Sequence, residues 1–225
     1  MYNIAMQAYS DNVVLYIVVI LAVLFFSMTL HELMHGLVAY WLGDDTARRD
    51  GRLTLNPIKH IDPFLTIILP VTLALFQAPI FGGAKPVPFN PQRVRGGVWG
   101  AALVGLAGPL TNLVLAFISF ILVTYLPLGD NSIGNMVLSV SVLVNLGFFA
   151  FNILPIPPLD GSRLLYAVAP DPVQRGMEYI ERYGVLLIFG IVMVASPIIG
   201  NLINMMVQGL LVGFSYIPLM LNMLQ

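Results

Sequence analysis

The sequence predicts an all-α integral membrane protein: a polytopic bundle of about five to six transmembrane helices with one re-entrant or short apolar segment. Three observations lead there. Of 225 residues, 58% are hydrophobic and only 9% are charged. The apolar residues gather into runs, most of them close to or above the ~20 residues with which an α-helix crosses ~30 Å of hydrocarbon. The ten Lys and Arg collect in the short segments between those runs. Hydrocarbon offers no water to backbone N–H and C=O groups, so each run must pair them internally, as a helix does. A net charge of −1 provides no basic field for nucleic acid, and the absence of Cys rules out disulfides and thiolate metal ligands. The polar stretches 43–62 and 171–182 are too short for an appended soluble module. The chain is therefore expected to form one membrane-embedded domain over 1–225, with a core at about 13–170 and accessory helices at about 183–221.

Taken in order, the N-terminal tail lacks the basic region and cleavage site of a signal peptide, so the first apolar run is expected to stay in the mature protein. That run, 13–42, makes the first crossing, with Trp41 suited to the membrane interface. The basic residues form three groups: Arg48, Arg49, Arg52 and Lys59; Lys85, Arg93 and Arg95; Arg163, Arg175 and Arg182. Positive charge is retained on the cytoplasmic side, which places these groups inside and the N-terminus outside. The apolar stretch 63–76 has basic groups on both flanks, is interrupted by Pro63 and Pro70 and is followed by Pro79. It is short for a span, and a re-entrant segment keeps both flanks on one side. Further crossings follow at 98–125, with Trp99 and Tyr125 near its ends, at 136–154, at 183–200 and at 202–221, the last two joined by a turn near Asn201.

The chemistry-bearing pattern is His31-Glu32-Leu33-Met34-His35, inside the first crossing. A helix puts His31 and His35 on one face a turn apart, where both imidazoles reach one metal ion, and sets Glu32 alongside as a general base. A carboxylate within a lipid-spanning helix costs about 2.5–3.5 kcal/mol on insertion scales, which argues for a function or a partner. Asp160 follows the helix ending near Leu154, in Asn152-Ile153-Leu154-Pro155-Ile156-Pro157-Pro158-Leu159-Asp160-Gly161. With 63–76 re-entrant, two crossings separate Asp160 from the histidines, so all three reach the same membrane face. On local sequence alone, Asp160-Gly161 reads equally well as a turn. Two histidines, one carboxylate and an open fourth position make a catalytic set for one Zn2+ ion. A non-proteolytic metal-binding scaffold or a cation transporter is the alternative, and Glu32, placed beside the metal rather than on it, favours hydrolysis.

His31-Glu32-Leu33-Met34-His35-Gly36 and the segment closing on Asp160-Gly161 together resemble the site-2 protease family of intramembrane zinc metalloproteases. The resemblance extends to Asn56-Pro57-Ile58-Lys59-His60-Ile61-Asp62-Pro63, to Gly83-Ala84-Lys85-Pro86-Val87-Pro88 and to Ala107-Gly108-Pro109-Leu110-Thr111-Asn112. These blocks are similar to the compact prokaryotic branch without PDZ or CBS domains. The resemblance implies cleavage of a peptide bond within or beside a substrate's transmembrane helix, zinc on His31, His35 and Asp160, Glu32 as base, and a three-helix core. It also implies a prokaryotic inner membrane as the location and a transmembrane protein as partner.

Other residues carry readings of their own. Hydrolysis of a helical substrate requires local unwinding, and residues 82–88 read either as an extended segment whose Ala84 and Val87 pair with the unwound chain or as a simple connection. Asn152 can steady a substrate backbone or an oxyanion, or hydrogen-bond a neighbouring helix. Asn145, two turns earlier on the same face, reads as packing. Ala101, Gly105, Gly108 and Asn112 form a small-residue face that brings helices close. His60 is expected beside the site or bracing its loop rather than as a fourth ligand, which would close the open position.

Overall fold

The computed structural model describes residues 12–75, 83–129, 132–182 and 184–223. Helix α1 (Val13–Trp41) is followed by a single turn, α2 (Thr46–Arg49), a 3-10 turn at Pro57–His60, and a π-helical turn, Pro63–Ile68, that runs into α3 (Leu69–Leu75). Then come α4 (Gly97–Tyr125), α5 (Ile133–Asn152), α6 (Gly161–Val168), α7 (Asp171–Glu181) and α8 (Gly184–Met223). Among the described residues there is no strand. Four stretches among the described residues are long and apolar enough to cross a membrane: α1, α4, α5 and Pro197–Ile217 within α8. The chain is an integral membrane protein of the helical type.

Pairing of the first backbone donors explains where several elements begin. The Asn12 side chain accepts from Leu15 N at 3.1 Å, and Ser132 Oγ accepts from Asn135 N at 3.1 Å. Asp62 accepts from both Phe64 N and Leu65 N at 2.9 Å, while Pro63, lacking an N–H, fits the first position. Among the described residues, the segment opened by Asp62 is helical over 63–75, about 20 Å. Phe64, Ile67, Ile68, Val71 and Leu75 are exposed along it, as lipid contact requires. Phe76, Gln77 and Pro79 lie outside the described residues, as does Gly82 of the proposed extended segment.

The end of the chain differs from the sequence expectation. The crossings anticipated at 183–200 and 202–221 belong to one continuous 40-residue helix with no turn at Asn201, about 60 Å long. Gly200-Asn201 reads as a break in water, but in lipid an exposed backbone has no alternative partner and stays helical. Among the described residues, Pro197–Ile217 within α8 is the candidate span.

Helix α4 lies at the centre, packed against α1, α5 and α6. Its buried residues include Ala101, Gly105, Gly108 and Asn112, the small-residue face expected to allow close approach, together with Gly100, Ala102, Val104 and Ala107. Val19 and Val23 of α1 pack with Met136 and Val140 of α5 toward one end, and Ala39 packs with Val94 and Val104 toward the other. Phe214 of α8 fits against Ala116, Val142 and Leu146, which seats α8 on the α4–α5 groove. Trp41, Trp99 and Tyr125 are exposed at helix ends, as interfacial anchors are, and are not core aromatics.

The basic residues also have local duties. Arg95 donates from Nη2 to Trp41 O at 2.6 Å and from Nε to Leu42 O at 3.2 Å, satisfying carbonyls left open where α1 ends. Arg52 is buried and donates to Lys59 O, to Lys85 O at 2.6 Å and to Pro86 O at 3.3 Å. It ties the Pro57–His60 turn to residues 83–88. Buried Asp44 accepts from Thr46 N at 3.1 Å, Thr46 Oγ1 at 2.5 Å and Asn90 N at 2.5 Å.

Candidate metal centre

His31 and His35 are on the buried face of α1, one turn apart, with their rings edge-on at 4.7 Å between centroids. Asp160 enters from the loop that follows α5, at the start of α6. That loop turns tightly: a Cβ at Gly161 would run into the carbonyl of Ile153, so only glycine permits the return that carries Asp160 back to α1. His31 Nε2 is 3.0 Å from His35 Nε2 and 3.1 Å from Asp160 Oδ2, and His35 Nε2 is 3.4 Å from the same oxygen.

These separations suit a single ion. Tetrahedral ligands with arms of 2.0–2.2 Å stand about 3.3–3.6 Å apart, a few tenths of an ångström from these separations. His35 Nδ1 meets the Val104 carbonyl at 2.7 Å, and a carbonyl only accepts, so the proton is on Nδ1 and the Nε2 lone pair faces the carboxylate. Two acceptors facing one another are stabilised by a cation between them. Room for the ion comes from α4, since a Cβ at Gly108 would stand 2.6 Å from His31 Nε2 and closer still to His35 Nε2. Any side chain there would fill the space between the imidazoles.

Glu32 does not join this group among the described residues. Its Oε2 accepts from Val87 N at 2.9 Å, so residues 83–88 run beside it. Val87, read either as pairing with an unwound substrate or as part of a simple connection, has its N–H engaged by Glu32 and its side chain buried. Among the described residues, nothing hydrogen-bonds to the Ala84 backbone or the Val87 carbonyl. Gly83 is held through its N–H by Leu65 O at 3.1 Å and through its carbonyl by Thr66 Oγ1 at 2.6 Å.

His60 is fully buried away from the ligand group, with Nε2 at 3.0 Å from Thr54 O and its own carbonyl accepting from Lys85 N at 2.8 Å. That geometry braces a loop. Asn152 donates to Phe148 O of its own helix at 3.0 Å, so its amide does not bridge helices here. Asn145, read as packing, instead hydrogen-bonds across to two other helices. It accepts from Asn112 Nδ2 at 2.8 Å and donates to Ser27 Oγ at 2.9 Å, while Asn112 Oδ1 meets His31 Nδ1 at 2.5 Å. An amide buried in an otherwise apolar helix was the available signal for both; which partner each would meet depended on helix register.

No protein-family model and no solved structure matches the chain. It is similar to "Putative zinc metalloprotease YwhC" of Bacillus subtilis, 40% identical over 198 residues that span 84% of this chain and 86% of that protein. It is 30% identical over 172 residues to "Putative zinc metalloprotease Rip2" of Mycolicibacterium smegmatis, spanning 76% of this chain and 64% of the relative. The protein of the same name in Mycobacterium tuberculosis is 29% identical over 174 residues, with the same shares.

Proposed function

Since the chain belongs to the site-2 protease family of zinc metalloproteases, we propose that it hydrolyses a peptide bond within or next to a transmembrane segment of a membrane-protein substrate. The observation that carries this reading is the convergence of His31, His35 and Asp160 at zinc-ligand separations, with Glu32 beside them and outside the ligand set. His31 Nε2, His35 Nε2 and an Asp160 oxygen would hold the ion. Zinc supplies Lewis acidity there, acidifying water and polarising a scissile carbonyl. Glu32 takes the proton from the attacking water and returns it to the leaving amine, and the Val87 N–H bond fixes the carboxylate's orientation.

An unwound substrate must exchange its helical hydrogen bonds for others. The Ala84 backbone and the Val87 carbonyl offer such partners beside Glu32, in the manner of strand addition. Asn152 lies at the end of α5, from which the Asp160 loop departs, and contributes through its amide once that amide turns from Phe148 O. His60 holds the turn on which residues 83–88 rest. The basic loops set the metal site toward the cytoplasm of a prokaryotic inner membrane, with the N-terminus outside.

The test uses the full chain purified in detergent, with bound zinc measured and single-span substrates incubated with wild type, Glu32→Gln and Asp160→Asn. Glu32→Gln is expected to keep zinc and lose cleavage by about 10²–10⁴-fold. Asp160→Asn, lacking the ligand charge, is expected to bind zinc more weakly. Undiminished proteolysis by Glu32→Gln would refute the mechanism.

A further inference from the structure

Two asparagines buried inside the bundle form a hydrogen-bonded line leading away from the metal ligands. Asn112 on α4 and Asn145 on α5 are both fully buried, and their amides join His31 on α1 to Ser141 on α5. The direction of every bond in this line follows from one group. Asn145 Nδ2 lies 2.9 Å from the backbone carbonyl of Ser141, which can only accept, so the NH2 end of Asn145 must face it. The same NH2 donates to Ser27 Oγ at 2.9 Å. Asn145 Oδ1 is thereby turned to α4, where it accepts from Asn112 Nδ2 at 2.8 Å. With its NH2 committed to Asn145, Asn112 presents Oδ1 to His31 Nδ1 at 2.5 Å. That nitrogen must carry the proton, and His31 Nε2 is left with its lone pair directed at His35 and Asp160.

We propose that Asn145 is a positioning residue for the metal centre: acting through Asn112 and anchored on the Ser141 carbonyl, it fixes which nitrogen of His31 bears hydrogen and so keeps Nε2 available as a ligand. His35 achieves the same state in one step, through the Val104 carbonyl. His31 is packed against the side chain of Asn112 and has no carbonyl of its own. An isolated Asn112 could present either end of its amide, and the NH2 end would favour the wrong tautomer. Asn145 removes that freedom. A residue serving only to staple α1, α4 and α5 would need these bonds but not their direction. The inference rests on zinc being held by His31, His35 and Asp160.

Zinc affinity of the full-length protein in detergent, measured by competition with a chelator, tests the proposal alongside NMR of hydrogen exchange at the imidazole N–H groups of the cobalt(II)-substituted protein. Asn145→Leu, which cannot orient Asn112, is expected to weaken zinc binding at least tenfold, within the 10- to 100-fold range of groups that orient ligands. It should also speed exchange at His31 Nδ1–H while leaving His35 Nδ1–H unchanged. Asn145→Ser fits the space but cannot reach from Asn112 to Ser141, and carries the same expectation if the leucine variant does not fold. Asn145→Asp, neutral in this apolar setting, can donate to Ser141 and accept from Asn112, and should stay within about threefold of wild type. Ser119→Ala removes a 2.8 Å bond to Ser141 Oγ without altering the direction of the line, and should change neither readout. Wild-type zinc affinity and His31 exchange in both the Leu and Ser variants would overturn the inference, and so would an Asp variant as impaired as these. A wild-type protein that takes up no zinc would overturn the metal assignment itself.

Discussion

Replacing Gly108 by alanine places one methyl group where the ion is proposed to sit. The added Cβ would stand 2.6 Å from His31 Nε2, whereas ordinary contact begins at 3.4 Å. The ring must therefore retreat by about 0.8 Å, several times the ~0.2 Å within which metal–ligand distances are normally held. His35 Nε2 is crowded more severely still. Because the ligands themselves are displaced, the loss should exceed that of a changed supporting hydrogen bond: at least about 100-fold in zinc affinity, or about 2.7 kcal/mol at 1.36 kcal/mol per tenfold. Helix α4 should survive, since alanine is favoured over glycine in a helix interior by about 1 kcal/mol. The assay is zinc content and chelator competition on the purified variant, with far-UV circular dichroism beside it. A variant with native helicity and wild-type zinc affinity would show that the space beside Gly108 is not the metal site.

Two further outcomes are expected at the loops. Arg52→Met keeps an apolar stem but loses the bonds to Lys59, Lys85 and Pro86 carbonyls, each charge-assisted and about 1.5–3 kcal/mol. Amide exchange over residues 83–88 should quicken and cleavage should fall while zinc stays bound; unchanged exchange would deny Arg52 its bracing role. Asp44 is shifted upward by burial, but hydrogen bonds from Thr46 and Asn90 outweigh this and lower it below its ordinary value of 3.8. A depressed carboxylate contributes stability that is full above the unfolded value and is lost as pH falls through the folded one. Protection of the Thr46 and Asn90 amides should therefore hold from neutrality to about pH 5 and decline only below 3.8; loss already at pH 6 would contradict it.

The sequence by itself determined what is local or follows from hydrophobicity. The three uninterrupted apolar helices α1, α4 and α5 were legible because a bilayer leaves such runs one way to pair their backbone. The spacing of His31, Glu32 and His35 was legible because a helix turns every 3.6 residues whatever surrounds it. Asp160 could be singled out by resemblance and by parity of crossings, but its meeting with the histidines depends on the return turn at Gly161. Only the tertiary structure decided that the Val87 N–H is held by Glu32, that Gly108 opens room between the imidazoles, and that Asn145 reaches His31 through Asn112. Each of these depends on the rotation and depth of one helix or loop against another. A shift of one residue turns a helix by about 100°, so a sequence pattern can mark a polar residue in an apolar run without saying which neighbour it will meet.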